Sequence, residues 1–426
     1  MPVEDRMDFK YIFVPVDHTF PPELWVIICT ELADQQDPRF HWKNPTEKIE
    51  EARTALYSLC ETSRMLRSIA QPLLLRSRCT EEEPGGFLSL GRNILSKPRL
   101  ASLVRCIKIA RDYSDYYGEL EDHEEYPILL EVANRLGFDP SLFSTGLGRP
   151  SGLFSISTGR PFGANLPPLR QLLPSFLPKL KYLHIQLRDH DAPCRFLQTL
   201  RERSVITPFE SVTTLLLESA ALFSDRWVLQ RYSPLLALLP NLRLLSLWKC
   251  GGILAAGDTG REQYDSGESI VDWMPKGLQS IHLRDCMLKI PAITTLLSTC
   301  HSLENVFYAP KEGIFTVHPG YCQVVRALRG SKDTLRYLDL DIRHCKLSSR
   351  LFGAPWDGNF NKDLAEMWQA LQEFPHVTYV SANGKGYQKR DSEPFDWVCV
   401  KNTDDVRYRT LDFQFAMEQA MGFWSS

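Results

Sequence analysis

Two histidines and two cysteines hold matching places in segments of one pattern, and they are the first residues to test for chemistry. His184 lies in Leu180-Lys-Tyr-Leu-His-Ile185 and His282 in Leu278-Gln-Ser-Ile-His-Leu283. Cys250 follows Leu242-x-x-Leu245-x-Leu247 at the place where Cys286 follows Leu278-x-x-Ile281-x-Leu283. Histidines that stacked would make a metal pair, but the distance between their segments argues for ordinary surface histidines. The cysteines read as small core side chains rather than nucleophiles. Seven carboxylates from Asp112 to Glu125, beside Tyr113, Tyr116 and Tyr117, lack the fixed ligand spacing of a calcium loop and read as a solvated loop. No Gly-x-Ser-x-Gly elbow, phosphate loop, His-Glu-x-x-His helix or paired Cys–His box occurs. The residues therefore point away from an enzyme and imply no cofactor and no metal. What remains is recognition. Trp248, His282, Arg284, Phe307 and Tyr337 are of the types that anchor interfaces, and Asp339 and Asp341 suit a basic group.

These residues need strands to present them. Leu278-Gln-Ser-Ile281-His-Leu283-Arg-Asp-Cys286-Met-Leu288 fits the leucine-rich-repeat signature at every fixed position. Ile281 and Leu283, two apart, share one face of an extended segment, and His282 and Arg284 take the other. One such unit cannot bury its own apolar face, so copies are expected. They begin at Leu180, Val212, Leu242, Leu278, Leu303, Leu335 and, more weakly, Val377, with Val104-x-x-Ile107-x-Ile109 as an earlier strand candidate. The steps run from 25 residues (Leu278 to Leu303) to 42 (Leu335 to Val377). Regular repeats step by about 20–29, so these carry inserts. Helical stripes lie between them: Ile290, Ile293, Leu296, Leu297 and Cys300, then Leu364, Met367, Trp368 and Leu371 with Asn361 as N-cap. Strand and helix alternating with one hand give parallel strands inside and helices outside. The expected fold is α/β, a curved leucine-rich-repeat solenoid over residues 79–383 with inserted loops at 112–125 and 146–168. Residues 384–426 are apolar enough to cap it, with Asn383 to Pro394 as a polar, basic loop.

Composition bounds the partners. The chain has 426 residues, a net charge of −3 and a pI near 6.4, which gives no electrostatic case for nucleic acid or an anionic membrane. The apolar run Leu24 to Ile28 is too short for a signal segment or a bilayer span. Eleven cysteines without a Cys-x-x-Cys pair, and no glycosylation sequon, favour a reducing intracellular setting, cytoplasm and/or nucleus.

In front of the repeats, residues 1–17 carry no readable signal. Pro21 and Pro22 suit a helix start, and Leu24, Ile27, Ile28 and Leu32 mark one helix face. Residues 34–48 read as a polar loop. Helical spacing resumes at Ala55 and is expected to break at Pro72. Phe20-Pro21-Pro22-Glu23-Leu24, Ile27-Ile28, Leu32 and Leu56-Tyr-Ser58-Leu59-Cys60-Glu-Thr-Ser63-Arg64-Met-Leu66-Arg67-Ser-Ile69-Ala70-Gln-Pro72-Leu73 resemble an F-box, most closely those of fungal F-box proteins. The resemblance covers residues 18–78, with Phe20 where leucine is usual and residues 34–51 as an insertion. An F-box followed by leucine-rich repeats resembles the substrate receptors of SCF-type cullin–RING ubiquitin ligases. The resemblance implies docking on a Skp-type adaptor, and through it a cullin, by Pro21, Leu24, Ile27, Ile28, Leu59 and Leu66. It also implies capture of an unidentified target protein by the solenoid. The alternative is a repeat scaffold for protein–protein interaction that joins no ligase.

Overall fold

The computed structural model describes residues 20–35, 45–79, 86–109, 126–135, 137, 172–187, 209–219, 232–252, 274–288, 290–310, 320–341, 360–382, 385–389 and 397–402. The expected N-terminal segment 1–17 and the loops 112–125 and 146–168 lie outside these. The chain divides into two compact units, Met1–Ser77 and Arg78–Ser426.

The first unit holds three helices: α1 (Pro22–Gln35), α2 (Pro45–Thr62) and α3 (Arg64–Leu74). Proline opens α1 and α2, where its missing N–H has no intrahelical partner to lose. Because α1 runs to Gln35 and α2 starts at Pro45, residues 34–51, read above as an insertion, largely extend the two helices. Ser63 caps α3, its side chain accepting the Leu66 N–H at 3.1 Å, and the Arg67 guanidinium donates to the Cys60 carbonyl at 2.8 Å. Pro72 does not break α3, which continues to Leu74. It falls in the last turn, so the lost hydrogen bond is followed by little helix. Cys29, Ala33, Leu56, Cys60 and Ala70 form this unit's core.

The second unit is built on a sheet whose strand path starts at β1 (Ser77–Cys79) and is followed by helices α4 (Gly86–Ser96) and α5 (Pro98–Ala101). Eight parallel strands occupy its middle: β2 (Cys106–Ile109), β3 (Tyr182–Leu187), β4 (Thr214–Ser219), β5 (Leu244–Trp248), β7 (Ser280–Leu288), β8 (Asn305–Pro310), β9 (Tyr337–Leu340) and β10 (Tyr379–Ala382). A two-residue strand, β6 (Gly251–Gly252), pairs only with β7. The expected strand segments all appear, and the register between them is constant. Ile107, Leu183, Leu215, Leu245, Ile281, Val306, Leu338 and Val380 are partners in one row, all buried. The leading residues Leu180, Val212, Leu242, Leu278, Leu303, Leu335 and Val377 are buried beneath them.

A repeated backbone contact sets this register. At each strand start one carbonyl accepts two successive N–H groups of the next strand. Arg105 serves Lys181 and Tyr182, Lys181 serves Thr213 and Thr214, Thr213 serves Arg243 and Leu244, and Arg243 serves Gln279 and Ser280. The series continues through Gln279, Glu304 and Arg336. A slip by one residue would turn every apolar row to the other face.

Six helices accompany the strands; the later ones are α6 (Tyr126–Arg135), α7 (Ser233–Ala237), α8 (Ile290–Ser298), α9 (Tyr321–Ala327) and α10 (Phe360–Leu371). Ile293, Leu296, Leu297, Val324, Val325, Met367 and Leu371 join the buried strand rows in one core. Asn361 lies inside α10 rather than capping it. Asp363 does the capping instead, and for another helix: its carboxylate accepts the Tyr321 and Cys322 N–H groups at 2.8 and 3.2 Å. A Cβ on Gly320 would stand 2.7 Å from that carboxylate. Gly320→Ala is therefore expected to push Asp363 off α9 and destabilise the protein by about 1–2 kcal/mol, the worth of a lost cap. Thermal melting checks it, and an unchanged melting temperature would show that the cap carries no weight.

The C-terminal side differs from expectation at one place. Lys385–Lys389, read as loop, is strand β11, antiparallel to β10 and to β12 (Trp397–Asn402). Only Asn383 and Gly384 separate β10 from β11, and Asn-Gly is a strong two-residue hairpin signal. The composition of Lys385-Gly-Tyr-Gln-Lys389 hid the strand, while Tyr387 packs edge-on against Trp368 of α10, ring centres 5.1 Å apart. The rest of the expected cap, residues 403–426, lies outside the described residues.

Candidate functional site

Two surfaces carry the residues singled out for recognition, one in each unit. On α1, successive side chains turn by about 100°, which sorts the apolar ones into two arcs. Trp25, Cys29, Leu32 and Ala33 share the first, with Cys29 and Ala33 buried in the core. Leu24, Ile27 and Ile28 share the second and stay 42%, 56% and 37% exposed. Pro21 and Phe20 continue this surface, Phe20 lying 5.6 Å from the Trp25 ring. A helix apolar on both arcs has buried only one of them.

The other two expected docking residues fare differently. Leu59 is half-buried against the core, and Leu66 is 1% exposed, so its assignment to an outer surface is corrected. Ser63 fixes the start of α3, and from there Leu66 and Ala70 fall on the inward stripe. Val26, Tyr57 and Met65 are exposed apolar residues that the motif did not nominate. Their signal was phase: Tyr57 is out of step with Ala52, Leu56 and Cys60, and Met65 with Leu66 and Ala70.

In the second unit, the residues between the core rows form the front of the sheet. They were expected to meet solvent along its whole length. From β3 to β7 they do not: His184, Leu216, Glu218, Leu244, Ser246 and His282 are buried. The pleat decides which face a side chain takes and says nothing about what covers that face. The two histidines are thus buried, not surface, residues. His282 is pushed down to about 3 by burial, so its ring is neutral, and it meets the Phe307 ring edge-on at 6.2 Å.

His184 is joined to a charge. Its Nε2 lies 3.1 Å from a Glu218 oxygen, and the Lys249 ammonium lies 3.0 Å from the other. Burial pushes the Glu218 carboxyl up, but the hydrogen bonds and charges of His184 and Lys249 outweigh it and hold the group at about 2. Lys249 also sits 4.2 Å over the Trp248 ring and Arg284 5.3 Å from it, while the indole N–H donates to Asp285 at 3.1 Å. Lys249 and Asp285 occupy equivalent places after β5 and within β7, and both have positive φ, 57° and 50°. This left-handed residue turns the chain so that the next one, Cys250 or Cys286, points inward. The two thiols donate to the Leu217 and Leu247 carbonyls at 3.5 and 3.2 Å, one strand back in each case. Both are fully buried, and burial raises the Cys250 thiol well above its usual range.

From β8 to β10 the front opens. Phe307, Tyr337, Asp339 and Tyr379 are half-exposed, and Tyr337 and Tyr379 stack face to face at 4.7 Å. Asp341, expected here as a reader, is 5% exposed and lies at the covered margin. Trp248 and Arg284 are half-exposed at the far end of the front.

Among the described residues no group of three His, Cys, Asp or Glu side chains is placed to hold a metal. No helix among them is long and apolar enough to cross a membrane. No protein-family model matches the chain, and no curated protein matches it.

Proposed function

We propose that the chain is the substrate-receptor subunit of an SCF-type ubiquitin ligase, with α1–α3 as its F-box and the parallel sheet as a leucine-rich-repeat receptor. The observation that carries the reading is the second apolar arc of α1. Leu24, Ile27 and Ile28 are exposed on a helix whose other arc already completes a core. Isolated exposed leucines are ordinary, but a continuous apolar arc beside a finished core marks an interaction site. An adaptor surface covering Pro21, Leu24, Ile27 and Ile28 would bury about 800 Å² per partner.

The receptor performs no chemistry in this reading. It holds a target near the charged E2 and raises the effective concentration of the reacting lysine. Such a protein works in the cytoplasm or nucleus. The constant sheet register supports the repeat assignment, because each strand offers its alternate residues in line with those of its neighbours.

Leu24→Asp with Ile28→Asp is expected to abolish co-purification with a Skp-type adaptor while leaving the melting temperature within about 2 °C, since both side chains are exposed in the free chain. Wild-type protein that captures no adaptor would sink the proposal. Loss of folding in the double variant would favour the alternative, a scaffold whose N-terminal helices serve only as a cap.

A further inference from the structure

We propose that the strip of sheet formed by β8, β9 and β10 reads an arginine- or lysine-bearing segment of the target protein. The inference deepens the receptor reading, in which this sheet holds the target, and rests on it. Three observations carry it. The front of the sheet is buried from β3 to β7 and half-exposed at Phe307, Tyr337, Asp339 and Tyr379, so this strip is where a partner meets strand residues.

The register places Asp339 beside Phe307 on β8 and Ser381 on β10, with Tyr337 two residues before it and stacked on Tyr379. The front positions of these three strands carry aspartates and no lysine or arginine. A carboxylate framed by aromatic rings suits a guanidinium, whose charge meets the oxygen atoms while its flat face lies on a ring. The same sign opposes a phosphorylated or acidic segment.

The chain also offers its own precedent two strands away. There the Trp248 ring holds Lys249 and Arg284 beside the carboxylates of Glu218 and Asp285. Aromatic ring, carboxylate and cation are thus already combined once on this sheet, with both cations supplied by the chain. On β8–β10 the ring and carboxylate recur, and the cation is assigned to the target.

The test is selection of random displayed peptides against the full chain. Selected peptides are then synthesised in arginine, glutamine, glutamate and phosphoserine versions, and binding is read by fluorescence anisotropy. The selected peptides are expected to share a basic residue, and its change to glutamine is expected to weaken binding at least about tenfold, the worth of one charge-assisted contact. Asp339→Asn and Phe307→Ala should each do the same with melting unchanged, and Asp339→Arg should prefer the glutamate version. A preference for glutamate or phosphoserine in the wild type, binding indifferent to both Asp339 and Phe307, or no peptide selected at all overturns the inference. Adaptor capture is measured on the same protein. Selection failing with capture intact rejects this inference alone, whereas basic peptides selected by a chain that captures no adaptor reject the ligase reading alone.

Discussion

Glu218→Gln is expected to cost about 3 kcal/mol of stability at neutral pH and almost nothing near pH 2. The carboxyl titrates at about 2 in the folded chain against an ordinary value of 4.5, and each unit of such a shift is worth about 1.4 kcal/mol. The group's folded value lies below its unfolded one, so its ionisation stabilises the fold above pH 4.5. That contribution is lost as the pH falls from 4.5 through about 2. Glutamine keeps the shape of the protonated acid, so the gap between wild type and variant should close over the same range. The side chain is 6% exposed, and the two cationic partners are unequal: His184 is 5% exposed and Lys249 30%. Solvent screening therefore reduces the lysine's share more than the histidine's. Urea unfolding at a series of pH values measures the gap. A difference that is constant with pH would mean that the charge of Glu218 is not what holds it.

Leu245→Ala should be costlier still, about 3–5 kcal/mol. Leu245 is fully buried in the middle of its row, with Leu215 and Ile281 as register neighbours. Truncation leaves a cavity between three strands, and strands held in one register have little freedom to close it. In a stacked repeat the loss falls on both flanking interfaces. Leu24→Ala with Ile27→Ala removes more apolar atoms in total, yet it should change stability by less than about 0.5 kcal/mol, because both residues face outward. Guanidinium unfolding of the two variants side by side decides the matter. Equal costs would place Leu24 and Ile27 in a core and remove the basis of the docking reading.

The strands were legible because each rests on three apolar residues at fixed spacing, a local pattern that burial of one face requires. Leu278, Ile281 and Leu283 hold the places the spacing assigns them. Which arc of α1 faces inward was not legible from the helical stripe. Leu24, Ile27, Ile28 and Leu32 fit one stripe on paper, but the core takes the neighbouring Cys29 and Ala33 instead. Small residues permit close helix approach, and larger ones left outside read the same in a hydrophobicity pattern. Leu66 went wrong for the converse reason, since motif position was taken as a guide to exposure. The burial of His184, Glu218 and His282 was also out of reach, because it depends on segments far apart in the chain. Asn383-Gly384 was readable as a turn and was obscured by the basic residues after it.

The doubled hydrogen bond at each strand start separates two properties that most folds tie together. Because one carbonyl fixes where the next strand begins, the chain between strands can be 25 residues or 42 without moving any row of side chains. Lengthening a closed loop twofold costs only about 0.6 kcal/mol. Connecting segments can therefore gain or lose residues in descent while the face they join keeps its coordinates, and a change of loop length is cheap where a change of strand phase is ruinous.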